Sequence, residues 1–599
     1  MPVAPRDHAP ALDPATEFVG PPTDPEEERI EVGVAIVGGG PAGLACAIRL
    51  AQLLDQAPGL AEALGEVPVA VIEKGRSTGS HLLSGAIMRP SAMLELLPDA
   101  DPSEWPFSYG PVERDAAYFL TSRRRVPLRP TPPPFRNHGN HVVSIAQLGR
   151  YLAERAEEAG VHVLTETAAT RLLVEDGVVR GVRTGDKGRG RDGEELVNFE
   201  PGADVLARAT VLCEGTQGHL AGAAIRRFGL GSDDPPQWEL GVKEVWEVPR
   251  PLDRVIHTLG WPLRAGARYR EFGGSWIYPM GEDRISLGFV LGLDYRDATL
   301  SPHDLLQELK THPFVRSLVE GGRRVAWGAK TIPSGGYWAM PRRLWAPGLA
   351  LVGDAASMVN VPILKGIDYA MHAGIHAAEA IVAELRESAG RGPVTDLSTY
   401  EERVRHGPVA RELRRSRNMR QAFSKGLVVG GALAGVMELT GGRLPGGHLR
   451  THDDAEPEVF VGERRYPRPD GTYVFDKLSS VYLSGNATRD DAPNHIRVRE
   501  RVPLELALLW QNMCPAQVYE VPEQALASLG DRGGGDSAGA GAPDPASGPS
   551  VVAADDRPDE ALVEVRITPS NCVQCGAITA KGGRLTPPEG GDGPNYQVT

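Results

Sequence analysis

The chain has 599 residues, 41% of them hydrophobic and 24% charged, with a formal net charge of -14. That length supports two or three domains with sizeable cores, and the acidic balance argues against a general nucleic-acid binder, which needs a basic surface. Five cysteines make no disulfide framework in a chain of this length.

Residues 1–29 are rich in Pro, Asp and Glu and read as a disordered tail, with neither a secretory signal nor a transit peptide. No apolar run reaches the ~20 residues needed to span a bilayer, which places the chain in a reducing, cytoplasm-like compartment. A buried strand is predicted over 32–37. It runs into Gly38-Gly39-Gly40-Pro41-Ala42-Gly43 and a helix over about 41–54, and the next strand, 67–72, ends at Glu73. A helix over 146–160 precedes a strand at 161–164, and single strands are expected over 172–182 and 205–213. Segments 238–248 and 274–292 read as sheet of a second domain. A further strand at 349–352 leads into a helix over 365–385, and 410–437 reads as helix, first basic and then apolar. Residues 531–549 are a Gly/Ala/Ser/Asp/Pro linker with no core-forming side chains, and no solenoid repeat is visible.

Gly38, Gly40 and Gly43 form a G-x-G-x-x-G between a strand and a helix, the context in which that pattern binds a dinucleotide. The first glycine permits the tight turn, the second lets backbone N–H groups reach a pyrophosphate, and the third lets the helix pack on the strand. The helix N-terminus adds partial positive charge for the phosphates. Glu73 stands where a carboxylate accepts hydrogen bonds from ribose hydroxyls, and a lengthened helix and loop at 55–66 accounts for its longer spacing. NAD and FAD both fit such a turn. The discriminating feature lies about 310 residues downstream, where Gly353-Asp354 ends a second strand. It resembles the turn that brings an aspartate to the ribityl chain in flavoproteins of the p-hydroxybenzoate hydroxylase and geranylgeranyl reductase type, whose following helix points its N-terminus at the flavin.

Ordered matches along most of the chain resemble one family, electron transfer flavoprotein–ubiquinone oxidoreductase. They are Gly79 to Ala86 with His81, Leu83, Ser84 and Gly85; Asn137-His138-Gly139-Asn140; Glu214-Gly215 with Gly218-His219-Leu220; His257 to Leu263; Gly273-Gly274-Ser275; 287–295; Asn360-Val361-Pro362 with Lys365-Gly366; Cys514-Pro515-Ala516; and Cys572-Val573-Gln574-Cys575. The resemblance implies an α/β chain, α+β in part: a Rossmann-type FAD domain over 30–225 and 335–400, an inserted mixed-sheet quinone-binding domain over 226–334, a membrane-surface helix region over 401–450, and a small C-terminal ferredoxin-like domain over 451–599. It implies FAD held by Gly38, Gly40, Gly43, Glu73, Leu83, Ser84, Gly85, Gly353, Asp354 and Gly366, a quinone head against Gly273 and Gly274, and a 4Fe–4S cluster. It implies electrons taken from electron transfer flavoprotein and passed to membrane ubiquinone or menaquinone by a peripheral protein, on the cytoplasmic face of a bacterial inner membrane. A geranylgeranyl-reductase-like activity and a non-catalytic docking subunit are the alternatives.

One departure stands out. The family ligates its cluster with four cysteines, and a 4Fe–4S cube takes one thiolate per iron. Here Cys514, Cys572 and Cys575 remain, while Ile578 holds the fourth place. A cluster with a non-cysteine fourth ligand, a three-iron cluster, and no cluster at all are the open readings. Arg411, Arg414, Arg415, Arg417, Arg420 and Lys425 precede the apolar stretch 427–437, a pattern suited to a monotopic anchor on anionic lipid; Arg123, Arg124 and Arg125 are a second candidate contact. His81, His138, His219 and His257 read as structural histidines.

Overall fold

A computed structural model describes residues 2–443, 447–526 and 562–599; the linker at 531–549 lies outside the described residues. The strand Ile30–Val37 is buried on both faces from Val32 onward, as a central parallel strand must be. It pairs in parallel with Val69–Ile72 on one side and Asp204–Leu212 on the other. His162–Leu164 extends the sheet past Val69–Ile72. On its other edge Asp204–Leu212 pairs with two further strands: its first residues run antiparallel to Val178–Thr184, its last parallel to Leu349–Leu351. The helix Pro41–Asp55, with Pro at its first position, packs against Ile367–Glu387. The crossing is close at Gly374, where a Cβ would stand 2.3 Å from the Ala42 carbonyl oxygen.

The second sheet has seven strands in the order Arg323–Pro333, Trp238–Glu247, Arg284–Gly292, Gly273–Pro279, Val255–Gly260, Asp115–Leu120 and Arg125–Pro127. Its last two strands come from the first third of the chain, outside the range expected for this domain. Helix Pro302–Thr311 packs on this sheet, and described apolar residues of 451–526 and 562–599, those of Leu504–Met513 among them, share a core with it. At its centre Glu244 is fully buried and accepts hydrogen bonds from Lys310 Nζ at 2.9 and 2.7 Å, Trp246 Nε1 at 2.8 Å, Gln307 Nε2 at 3.1 Å and Arg324 at 3.2 Å.

Three expectations change. The N-terminal stretch is docked, because Val3 and Phe18 bury apolar side chains: Val3 bridges to Val459, and Val19–Gly20 adds to the first sheet beside Leu172. The strand expected over 172–182 is a hairpin, Ala169–Glu175 and Val178–Thr184, turning at Asp176-Gly177, both at positive φ. The helix expected over 410–437 is broken into Pro408–Ser416, Met419–Ala422 and Leu427–Thr440, with Gly426 at φ 87° ahead of the last.

Candidate functional site

A cavity of about 960 Å³ runs from the Gly38 turn, past the loop at 81–87, to Gly273 and Gly274, and reaches the apolar helix Leu427–Thr440. At the turn, Gly43 seats the helix so closely that a Cβ would stand 2.1 Å from the Gly38 carbonyl oxygen. Gly40 faces the cavity, and a Cβ there would meet only a Leu82 methyl at 3.7 Å. The Glu73 carboxylate braces the turn, accepting from Gly39 N at 2.8 Å and Gly75 N at 2.6 Å. The second turn, Gly353–Ala356, brings Asp354 to the same cavity from the other side. Burial pushes its carboxyl up to about 6. Gly366 caps the helix Ile367–Glu387, whose N-terminus borders the cavity. Leu83, Ser84 and Gly85 form the opposite wall, and the Ser84 carbonyl accepts from Lys243 Nζ at 2.9 Å. Lys243 is buried, and loss of water brings its ammonium down to about 7.

At the far end, Gly273 and Gly274 begin the strand Gly273–Pro279, beside a polar row on an otherwise apolar wall. Thr258 and Ser275 hydroxyls lie 2.6 Å apart, His257 Nε2 and Tyr278 OH 2.7 Å apart, and Trp276 Nε1 donates to Ser286 at 3.0 Å. Of the other singled-out histidines, His138 is exposed, His219 lies 3.2 Å from Glu214, and His81 is buried and held neutral by desolvation and by Lys74 and Lys330. The apolar helix lines the cavity with Gly431, Ala434, Gly435 and Leu439, and it leaves Val429, Val436 and Leu439 exposed. Arg411, Arg414 and Arg415 are exposed, but Arg420 is not part of that basic face: it is 3% exposed on its side chain and paired with Glu239 and Asp294.

Cys514, Cys572 and Cys575 converge near the cavity, close enough for each sulfur to feel the others, and burial together with the neighbouring sulfurs pushes Cys572 up. Backbone N–H groups are aimed at all three: Val518, Ala516 and Gln517 at Cys514, Gln574 at Cys572, and Ala577 at Cys575. Such donors stabilise charge on sulfur. Two half-buried lysines pin the loop between the cysteines, Lys74 donating to Gln574 Oε1 at 2.7 Å and Lys330 to the Gln574 carbonyl at 3.1 Å. Ile578 packs against Gly583 and Val498 and brings no donor atom. Among the described residues no set of His, Cys, Asp and Glu closes on a single metal ion. Three sulfurs with no donor atom at residue 578 do not supply the four thiolates of a 4Fe–4S cube. Sequence reading missed Lys74, Lys243, Lys330 and Glu239. Each lies inside a strand or directly after one, and its partner is distant in sequence, so no local pattern marks it.

Two nucleotide-facing turns on one sheet, joined by a cavity to a second sheet, define a flavin-dependent oxidoreductase fold. A family model described as an FAD binding domain matches residues 113–231, and one described as the ubiquinone-binding part of ETF-QO matches 238–332. The chain is 33% identical over 607 residues to the mitochondrial electron transfer flavoprotein-ubiquinone oxidoreductase of Caenorhabditis elegans, covering 96% of this chain and 94% of that protein. It is 37% identical over 519 residues to the protein of that name from Pseudomonas aeruginosa, covering 83% and 91%. This chain belongs to the electron transfer flavoprotein–ubiquinone oxidoreductase family, a family of FAD-dependent enzymes. A geranylgeranyl bacteriochlorophyll reductase-like structure from Thermoplasma acidophilum matches at a TM-score of 0.50 and 20% identity, over 69% of this chain and 93% of that one, a likeness of fold alone.

Proposed function

We propose that this chain takes electrons from reduced electron transfer flavoprotein and passes them through FAD to a quinone drawn from the membrane. The observation that carries this reading is the single cavity joining the Gly40 turn to Gly273-Gly274 and to the exposed apolar helix. FAD, when bound, supplies a two-electron carrier. Around it, Gly38, Gly40 and Gly43 admit the pyrophosphate, Glu73 and Asp354 take ribose and ribityl hydroxyls, Leu83, Ser84, Gly85 and Gly366 enclose the ring, and Gly273 and Gly274 receive the quinone head. The chain sits peripherally on the cytoplasmic face of a bacterial inner membrane, through its apolar helix and the neighbouring arginines; no described helix is long and apolar enough to cross a membrane. In a stopped-flow test, the FAD-loaded protein is mixed with reduced electron transfer flavoprotein and a short-chain dimethoxybenzoquinone. Flavin that is reduced and then reoxidised by the quinone supports the reading; flavin that never accepts electrons overturns it.

Membrane docking makes its own prediction. Leu439 is 89% exposed on the apolar helix. Leu439→Glu should weaken co-sedimentation with anionic vesicles by about tenfold, the worth of one buried leucine at ~1.5 kcal/mol, with FAD content unchanged. Equal sedimentation would remove this helix from the contact.

The cysteine trio, in this reading, holds an iron–sulfur cluster through Cys514, Cys572 and Cys575 alone. Anaerobic purification followed by iron, sulfide and low-temperature EPR measurements decides. About three irons and a signal in the oxidised state mean a three-iron cluster, whereas about four with a signal only on reduction mean a non-cysteine ligand at the fourth iron. Absence of iron would leave flavin alone to carry electrons.

A further inference from the structure

On the sheet face that carries Gly273, a buried ionic group holds one acid more than it has cations. Glu239 lines the cavity and is 2% exposed. Arg420 donates through Nε to Glu239 at 3.2 Å and through Nη2 to Asp294 at 2.9 Å. Its guanidinium lies over Gly292, where a Cβ would come within 2.8 Å of Nη2, and 4.4 Å from the ring centre of Phe272, the residue before Gly273. Glu239 is paired with Gly292, and Gly292 N donates to the Phe272 carbonyl. The three residues therefore form one row across three strands, about 10 Å wide at strand spacing, and Arg420 bridges it. Behind them Asp454 accepts from Trp238 N at 2.8 Å, and Lys581 Nζ donates to the Asp454 carbonyl at 2.8 Å and the Tyr295 carbonyl at 3.1 Å.

Glu239, Asp294, Asp454, Arg420 and Lys581 are all at most 5% exposed. Three carboxyls against two cations leave a buried negative charge, and a site from which water is excluded removes such a charge by keeping a proton. Burial pushes Glu239 up to about 7, with Asp294 adding to the rise and Arg420 opposing it; Asp454 is pushed up by burial and by Asp294, against Lys581 and Arg420. Asp453 and Arg270 act on the outer end of the group, through Lys581. The proton belongs to the coupled group; Glu239 and Arg420 line the cavity, and Glu239 is the acid among the lining members.

We propose that Glu239 delivers a proton to the quinone oxygen reduced beside Gly273 and Gly274, with Arg420 and Asp294 as positioning residues. This rests on the quinone reading above. Reduced flavin, when bound, would supply the two electrons and one of the two protons that quinol formation needs. The second proton leaves the Glu239 carboxyl, whose O–H breaks as a quinol O–H forms. The resulting carboxylate is held by Arg420 until solvent returns its proton. A neutral acid that titrates near the working pH is suited to this task.

The test uses the FAD-loaded enzyme and two acceptors, a short-chain dimethoxybenzoquinone, which takes protons, and ferricenium, which takes an electron only. In Glu239→Gln the ratio of quinone turnover to ferricenium turnover should fall by about tenfold or more, and the neutral-pH inflection in quinone turnover should vanish. Glu239→Asp should restore part of both. The difference infrared spectrum of the wild type should contain a protonated-carboxyl band that Glu239→Gln lacks, and that band decides the matter if the glutamine variant loses FAD. A Glu239→Gln enzyme with the wild-type ratio and pH profile overturns the proposal alone. A wild-type enzyme that reduces ferricenium but no quinone removes the quinone reading and this proposal together.

Discussion

Gly40→Val should yield a folded, colourless protein. Gly40 caps its helix at φ -89° and ψ -180°, extended backbone that any residue adopts. A side chain there projects into the cavity, where only Leu82 is within 4 Å. The folded chain thus has room for valine, and only a bound pyrophosphate competes for that space. FAD per chain should drop by about tenfold or more, while the unfolding free energy of the flavin-free protein, from urea titration, stays within about 1 kcal/mol of wild type, the scale of a lost cap preference. Gly43→Val provides the contrast. Its Cβ would press on the Gly38 carbonyl at 2.1 Å and on Ile36 at 3.1 Å, so the helix must lift from the strand and the chain should fail to fold. A Gly40→Val protein that purifies with a full complement of FAD would show that the nucleotide does not lie against this turn.

Lys310→Met should cost on the order of 3–5 kcal/mol of stability, because it removes one partner of a buried pair and strands the other. Lys310 and Glu244 are both fully buried on their side chains, and Arg324 is the remaining cation near the carboxylate. Burial alone would raise the Glu244 pKa; Lys310 and Arg324 outweigh it and hold the carboxyl at about 2. A carboxylate with a depressed folded pKa stabilises the fold above its ordinary value near 4.5, and the contribution is lost as pH falls toward 2. Weakening that depression in Lys310→Met should move the onset of acid unfolding to higher pH. Urea titrations at neutral and acid pH measure both effects. A loss under about 1 kcal/mol would mean that Arg324 alone satisfies the acid.

The nucleotide-facing half of the molecule was legible because its signals are local. A buried run of Val, Ala and Ile, three spaced glycines, and an acid at the end of the next strand each report on neighbours within a few dozen residues. The second sheet was harder to read. Its last two strands, Asp115–Leu120 and Arg125–Pro127, come from far upstream, and nothing local says which sheet a short strand joins. Charged residues misled in one direction: Arg420 sits in a basic run that reads as surface, yet it is buried because Glu239 and Asp294 await it on another element. The docked N-terminus was missed for the opposite reason. Its composition is polar, and only a few residues, Val3 and Phe18 among them, find apolar partners.

The seating of Pro41–Asp55 on Ile367–Glu387 has a consequence in time. The ends of the two helices are separated by roughly 330 residues of chain. At ~5–20 residues per second of synthesis, the Gly38 turn spends tens of seconds outside the ribosome before the helix that covers it exists. During that interval the apolar side of Pro41–Asp55 is bare, and Asp354 has not yet been made. Cofactor capture is therefore a late event in the life of each nascent chain.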